Sequence, residues 1–190
     1  CEAYYLQALD NYSQLFARDP ETYRSSLTMI QYNLGYFYYD RDEYARAEQY
    51  YLQVLENRQL LFARNPDAYR MDLAKIQNNL GMLYRSTGDY EKAEMYYSQA
   101  LDNITTAFEK SPDTYRAEVA RTLANMGNFY RTVGNYAKAE ECYLKASEHF
   151  GEMFRQNPEA NRMDQSRILN TLGFFYYTTK DYARAEEYYY

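Results

Sequence analysis

Very few side chains in this sequence are of the types that perform nucleophilic catalysis or bind transition metals. His149 is the single histidine, and Cys1 and Cys142 are the two cysteines. A zinc-type site needs several such ligands, and a Ser or Cys nucleophile needs a base beside it, most often histidine. The sequence therefore predicts no metal centre, no cofactor and no His-dependent catalysis. We expect a protein that is not an enzyme, in which both cysteines are structural thiols.

The carboxylates are numerous, but five glutamates recur at a constant interval along the chain. They are Glu2, Glu48, Glu94, Glu140 and Glu186. An acid/base pair would be local, whereas a regular series indicates a structural role that is repeated. We interpret these glutamates as a solvated stripe on a row of helices.

The prolines and glycines show the same interval and define the organisation of the chain. Four prolines stand 46 residues apart, at Pro20, Pro66, Pro112 and Pro158, and so do four glycines, at Gly35, Gly81, Gly127 and Gly173. A fixed period of this length is typical of one supersecondary unit stacked on copies of itself. We therefore expect function on an extended surface rather than in a deep pocket.

Each period predicts two helices, named here helix A and helix B. Helix A begins at the proline, carries the glycine, and shows apolar residues three and four positions apart, as at Leu73, Ile76 and Leu80. Because glycine inside a helix costs about 1 kcal/mol relative to alanine, its recurrence predicts a neighbouring backbone too close for a Cβ. Helix B brings a small residue such as Ala47 to face that glycine.

Turn and capping residues separate the predicted helices. Gly88 and Gly134 suit the left-handed conformation that ends a helix, and the Asp or Asn that follows suits the cap of helix B. A capping residue followed by proline, as in Asn65-Pro66, starts the next helix A. The prediction is a series of antiparallel helix pairs.

With these motifs in place, the sequence resembles the tetratricopeptide repeat family. The resemblance rests on the Leu, Gly and Tyr of helix A, the Gly-Asp-Tyr turn and the Ala of helix B, and it covers essentially the whole chain. The family's usual unit has 34 residues, so both helices are longer here, as in kinesin-light-chain-like and bacterial scaffold members. A 46-residue unit also lies in the range of HEAT and armadillo repeats, but those lack the glycine-alanine correspondence.

The resemblance implies an all-α fold, an αα-hairpin solenoid wound as a right-handed superhelix. We expect residues 1–190 to form a single array: 1–19 as helix B of a partial first repeat, 20–65, 66–111 and 112–157 as full repeats, and 158–190 as a partial last repeat. Most of the 26 tyrosines recur in the slots of Tyr38, Tyr44, Tyr50 and Tyr51, where we expect packing roles.

In the family, helix A lines the concave wall on which ligand peptides lie, so the binding residues are carried over by motif position. The candidate groove residues are Asn33, Tyr36, Lys75, Asn79, Arg85, Arg121, Asn125, Asn128, Arg131, Arg167 and Phe174. This wall is basic and aromatic, which favours an extended partner segment with acidic residues and an apolar anchor. Alternatively, Asp72, Glu118 and Asp164, each three residues before a cation of the groove, pair with those cations and neutralise it locally.

Charge and hydropathy narrow the partners further. A net charge of −6 disfavours nucleic acid, and no apolar run is long enough to span a bilayer. We expect a cytoplasmic protein with a protein or peptide partner. Two alternatives remain open at this point: a structural module whose ends stack on other copies to form homo-oligomers, and the sensor part of a larger regulatory protein.

Overall fold

The computed structural model describes residues 2–189, so the prediction made for Cys1 lies outside the described residues. Across that range the chain forms nine α-helices and no strand, which confirms the predicted all-α fold. The helices are α1 (Glu2–Arg18), α2 (Pro20–Asp40), α3 (Tyr44–Arg64), α4 (Pro66–Thr87), α5 (Tyr90–Lys110), α6 (Pro112–Thr132), α7 (Tyr136–Gln156), α8 (Pro158–Thr178) and α9 (Tyr182–Tyr189).

The even-numbered helices are the predicted A helices, and each begins at a proline for a local reason. Proline has no N–H to lose at the first helical position, and its fixed φ suits a helix start. The preceding residue accepts a hydrogen bond from a backbone N–H with its side chain: Asp19 from Thr22, and Asn65 from Ala68, both at 3.2 Å. Ser111 occupies the same position before α6 without such a bond.

The turns between paired helices share one left-handed residue. Gly88 and Gly134 have φ of +81° and +78°, as predicted, while Asp42 and Lys180 occupy the equivalent positions with φ of +58° and +65°. The turn geometry is therefore maintained in all four pairs, and glycine relieves the backbone cost in two of them.

The chain divides into two compact units, Cys1–Tyr96 and Tyr97–Tyr190, with the division inside α5. In the first unit α1 packs on α2, α2 on α3, and α3 on α4. In the second unit α6 packs on α7, α7 on α8, and α8 on α9. Each unit is thus a stack of antiparallel helices in which sequence neighbours are spatial neighbours.

Three of the helix-A glycines, Gly35, Gly127 and Gly173, accommodate a tyrosine ring, which corrects the predicted close contact with a neighbouring backbone. A Cβ on Gly127 would lie 2.5 Å from the Tyr143 ring, and one on Gly173 would lie 2.7 Å from the Tyr189 ring. Gly35 stands in the same relation to Tyr51. The ring of the tyrosine sixteen residues later therefore packs against the bare helix surface and occupies the space that a Cβ would need.

The glutamate stripe is not simply solvated, as expected from the sequence, because three of its members accept a hydrogen bond from a buried tyrosine. Tyr84 donates its hydroxyl to Glu48 at 2.6 Å, over a separation of 36 residues. Tyr38 donates to Glu2 and Tyr176 to Glu140, each at 2.8 Å. A buried hydroxyl without a partner is costly, so the recurring glutamate joins helix B of one repeat to helix A of the next.

The same helix-A tyrosines stack on a second tyrosine of the following helix B. Tyr84 and Tyr96 lie with ring centroids 5.6 Å apart and planes 6° from parallel. The ring of Tyr84 also carries the ammonium group of Lys92 at 4.7 Å from its centroid, a favourable cation–π contact. These contacts agree with the packing role expected of the slots of Tyr38 and Tyr50.

Cys142 occupies the slot that tyrosine fills in other repeats, and its thiol is free and buried. Burial raises the pKa of this thiol to about 11. At neutral pH it is therefore a protonated packing group.

None of the described helices is long and apolar enough to cross a membrane.

Candidate functional site

In the second unit, four of the predicted groove residues surround a single cavity. Arg121, Asn125 and Asn128 of α6 face Arg167 of α8 across a cavity of about 190 Å³. Its floor includes Phe150 of α7, which is buried. We call this the α6/α8 cavity. Helix periodicity places residues 121, 125 and 128 on one face of α6, which is why the three side chains converge.

The cations of this cavity are held by acidic residues of their own helices. Arg121 donates to Glu118 at 2.8 Å and Arg167 to Asp164 at 3.2 Å. These are two of the three neutralising pairs considered from the sequence. Both arginines remain at least half exposed, so each pair contributes at most about 1 kcal/mol to stability.

Asn128 is hydrogen-bonded to a buried tyrosine. Tyr143, whose ring covers Gly127, donates its hydroxyl to Asn128 Oδ1 at 2.9 Å. The bond connects this cavity-lining amide to the core of the unit. The equivalent slots hold Tyr36, Met82 and Phe174, none of which carries an amide.

Arg131 and Phe174 contact each other rather than the α6/α8 cavity. The Arg131 guanidinium lies 5.7 Å from the Phe174 ring centroid, and Phe174 remains 48% exposed. This pair joins α6 to α8 and presents a cation and an aromatic surface together, which is the combination often found in binding hot spots.

In the first unit the corresponding crevice is wider and more apolar. The cavity between α2 and α4 has a volume of about 670 Å³ and is lined by Met29, Tyr32, Val54, Tyr69 and Lys75, among others. We call this the α2/α4 cavity. Of the predicted groove residues, Lys75 alone lines it.

The predicted pairing of Asp72 with Lys75 is wrong. Asp72 pairs instead with Arg58 of α3 at 3.0 Å. Arg58 reaches Asp72 because it stands at the floor of the cavity, with 18% of its side chain exposed. The carboxylate is therefore held across two helices, and Lys75 at the rim is not neutralised by its own helix.

The remaining predicted residues of the first unit lie apart from the α2/α4 cavity. Tyr36 and Asn79 border a small cavity of about 30 Å³, where Asn79 donates from Nδ2 to the Tyr32 hydroxyl at 3.0 Å. Asn33 and Arg85 line neither the α2/α4 cavity nor this small one.

The family motif did not predict the helix-B residues that form the floor of the two cavities. Phe150 and Arg58 occupy one and the same helix-B slot, two periods apart, and the family motif carries ligand residues from helix A alone. One signal was available: this slot changes chemical type from Arg58 to Ile104 to Phe150, whereas packing slots such as that of Tyr51 stay constant.

His149, for which the sequence predicts no catalytic or metal-binding role, has a packing contact in the structure. The His149 ring meets the Phe108 ring edge-on with centroids 5.4 Å apart. Burial, and then the positive charge of Arg116, lower the pKa of His149. Among residues 2–189 the structure contains no group of three or more His, Cys, Asp or Glu side chains that could hold a metal ion.

Comparisons with known proteins agree with this architecture. A family model described as the tetratricopeptide repeat matches residues 26–106, 72–152 and 118–190. The crystal structure of BtubC (BKLC) from P. vanneervenii is similar, with a TM-score of 0.67 and 20% identity, covering 98% of this chain and 85% of that one.

A second solved structure, the apo form of RapI, has a TM-score of 0.61 and 18% identity. The match covers 98% of this chain and 47% of RapI, so the chain spans about half the length of that protein. At these identities both likenesses concern the fold. A search of curated protein sequences found no match to this chain.

Proposed function

Because this chain belongs to the tetratricopeptide repeat family, we propose that it is a protein-interaction scaffold that binds an extended segment of a partner on its helix-A surfaces. Family membership supports the general role of protein binding. The finer proposal concerns the chemistry of the segment, which we infer to be acidic with an apolar or aromatic anchor.

One observation carries the finer proposal: Arg121, Asn125, Asn128 and Arg167 converge on the α6/α8 cavity above an apolar floor. Guanidinium and amide N–H groups donate hydrogen bonds, and donors that meet a carboxylate form charge-assisted bonds about twice as strong as neutral ones. The chain has a net charge of −6, so its surface as a whole repels acidic segments. A local cluster of donors on such a surface therefore supports the binding of an acidic segment at this cavity.

The first unit supplies the complementary apolar surface. Met29 is 58% exposed at the α2/α4 cavity, and Tyr32 and Tyr69 add aromatic area. Large apolar side chains of a ligand gain most by burial in such a crevice. Each unit therefore offers its own contact surface for the partner segment, and both surfaces lie on helix-A faces.

The test combines capture of a partner with substitution of the α6/α8 cavity. A partner is isolated by affinity capture and its segment measured by calorimetry against the wild type and an Arg121→Ala/Asn125→Ala variant. We expect a loss of at least about 10-fold in affinity, equivalent to about 1.4 kcal/mol. Lys145→Ala is the matched control, since it removes one positive charge from an exposed helix-B position that pairs with Glu141. Unchanged affinity in the double variant contradicts the proposal.

End-to-end assembly of copies stays a separate prediction. It requires that the mass in solution grows with protein concentration, and sedimentation velocity at several concentrations distinguishes it from a monomeric scaffold.

A further inference from the structure

One helix-B slot holds asparagine in three repeats and the single histidine of the chain in the fourth. The asparagines are Asn11, Asn57 and Asn103, and the histidine is His149. In the first unit this slot has a defined contact, because Arg24 of α2 donates from Nη1 to Asn57 Oδ1 at 3.0 Å. An uncharged acceptor in this slot therefore suits an arginine on the neighbouring helix A.

The second unit repeats this arrangement two periods later, with histidine in the place of asparagine. The guanidinium carbon of Arg24 lies 5.2 Å from the centroid of the Phe16 ring, and that of Arg116 lies 5.3 Å from the centroid of Phe108. The Phe108 ring meets the His149 ring edge-on, with centroids 5.4 Å apart. Phe108, Arg116 and His149 thus join α5, α6 and α7, and we call them the His149 cluster.

The positive charge of Arg116 is poorly compensated. Its side chain is 18% exposed, and an N–O distance of 3.8 Å separates it from Asp113. The Asp113 side chain is 85% exposed, so this ion pair is weak. Within the part of the chain that the structure describes, Arg116 Nε is buried and has no hydrogen-bond partner. A second positive charge beside this guanidinium is therefore unfavourable.

The charges around His149 favour its uncharged form. Burial, and then the charge of Arg116, lower the pKa of His149, while Glu148 on the same helix acts in the opposite direction. Glu152, about one turn further along α7, accepts a hydrogen bond from Arg155 and is engaged there. The acidic residues of α7 therefore do not offset the effects of burial and of Arg116.

The helix on the other side of α7 adds little compensating charge at this end. Asn161 of α8 is uncharged, and its Nδ2 donates to the Met153 carbonyl at 2.9 Å. Glu159 and Arg162 of α8 are exposed and pair with each other at 3.3 Å. Arg116 is thus the charge on a neighbouring helix that acts on His149.

We propose that the His149 cluster is an acid-sensitive contact, in which protonation of His149 sets two positive charges side by side and loosens the packing of α5 and α6 on α7. At neutral pH the imidazole is uncharged and packs as an aromatic ring. The unfolded chain takes up the proton at about pH 6.5, before the folded chain does. The contribution of the cluster to stability is therefore complete above about pH 6.5 and is lost as the pH falls through the folded-state pKa.

The charge of His149 can be followed directly, because a chain with one histidine gives one imidazole to assign. Heteronuclear NMR of the full chain, recorded against pH, follows the Cε1–H signal. We expect a midpoint below the ordinary value of 6.5. Arg116→Gln removes the neighbouring charge and should raise the midpoint towards that value. A wild-type midpoint at or above 6.5, or a midpoint that does not rise in Arg116→Gln, overturns the proposal.

Hydrogen exchange measured by mass spectrometry tests the loosening itself. His149→Asn restores the residue of the other three repeats and removes the titrating group. At about pH 5, amides in residues 106–118 and 147–152 should exchange at least about 3-fold faster in the wild type than in this variant. At about pH 7.5 the two proteins should exchange alike, since His149 is then uncharged in the wild type. Equal exchange at the acidic pH contradicts the inference.

Asn57→His transfers the same device to the first unit and serves as the matched gain of function. Arg24 stands to residue 57 as Arg116 stands to residue 149, so acid should speed exchange near residues 16–24 and 55–60 of this variant. The wild type should show no such increase there, and the second unit should behave alike in both proteins. If Arg116→Gln fails to fold, the wild-type titration and Asn57→His decide the question. Absence of an acid-induced increase around residue 57 contradicts the proposal.

Discussion

Tyr84 and Glu48 are 36 residues apart in sequence and are joined by a hydrogen bond of 2.6 Å from the phenol hydroxyl to Glu48 Oε1. Tyr84 is 4% exposed, so its hydroxyl has little access to water and depends on that carboxylate. The bond links α3 to α4 across a repeat boundary, and its counterparts at Tyr38 and Tyr176 show that the contact belongs to the repeat unit.

Tyr84→Phe tests the contribution of this contact to stability. The substitution keeps the ring stacked on Tyr96 and removes one bond to a charged acceptor, so we expect a loss of roughly 1–2 kcal/mol in the free energy of unfolding. Urea denaturation followed by circular dichroism measures it. Tyr136→Phe at a 53% exposed ring is the control and should stay within about 0.5 kcal/mol of wild type. Equal stability of both variants would show that Glu48 contributes nothing.

Gly127→Ala and Gly151→Ala form a matched pair in which one glycine is required and the other is not. A Cβ at Gly127 would meet the Tyr143 ring at 2.5 Å, whereas at Gly151 the nearest atoms are 3.9 Å away. We expect Gly127→Ala to destabilise by roughly 1–3 kcal/mol through overpacking. Gly151→Ala should stabilise by up to about 1 kcal/mol through helix propensity. Thermal unfolding of both variants checks the signs, and a stabilised Gly127→Ala would refute the packing role of Tyr143.

Alkaline pH should destabilise the protein through its buried tyrosines. Burial raises the pKa of Tyr38 to about 12, and it raises the pKa of Tyr51, Tyr84 and Tyr176 as well. Because the unfolded value is about 10, the folded state resists ionisation. Their contribution is complete below about pH 10 and is lost as the pH rises towards the folded-state pKa values. Urea midpoints measured from pH 8 upward should fall above pH 10.

Tyr51→Phe isolates this effect from the titration of lysines. Tyr51 is 1% exposed, and burial is the main cause of its raised pKa. The variant removes one buried phenol, so the decline of its urea midpoint above pH 10 should be shallower than in wild type. Parallel declines would mean that other groups cause the alkaline loss.

Ser111→Asn should stabilise α6. Asp19, Asn65 and Asn157 cap the other A helices with a side-chain hydrogen bond, whereas Ser111 makes none. Asparagine at this position reproduces the cap seen before α4 and α8, and we expect a gain of about 0.5–1 kcal/mol. Differential scanning calorimetry measures the change; Asn65→Ala, which removes a cap, should lower stability by a similar amount. A decrease for Ser111→Asn would contradict the capping argument.

The helices could be predicted because their boundaries depend on local chemistry. Proline at positions 20, 66, 112 and 158 fixes the start of each A helix, and the four turns end in left-handed residues at the same 46-residue interval. Lys180 and Asp42 could not be identified as turn residues by composition, because neither has the conformational freedom of glycine. Their role follows from the period alone.

The contacts between helices were harder to predict from one sequence. The periodic glutamates predicted a solvated stripe, yet Glu48 binds the Tyr84 hydroxyl because the next repeat brings α4 beside it. Likewise, the glycine predicted a close backbone, and the structure has a tyrosine ring there. A periodic pattern shows which residues share a face, but the partner across the interface depends on side-chain length and direction.

The candidate site was predictable on helix A and not on helix B. Arg121 and Asn128 face one cavity as their spacing on α6 requires, and Arg167 on α8 lines it one period after Arg121. The Asp72–Arg58 pair was not predictable, because the 3-residue spacing to Lys75 is compatible with a pair on one helix and says nothing of Arg58 on α3.

The most direct test of the proposed binding surface is site-specific photo-cross-linking with benzoylphenylalanine. It is placed at Phe174 on the helix-A face of α8, or at Lys145 on an exposed position of helix B in the same unit. We expect a cross-link to the partner segment from position 174 and none from position 145. Cross-linking from position 145 alone would contradict binding on the helix-A surface.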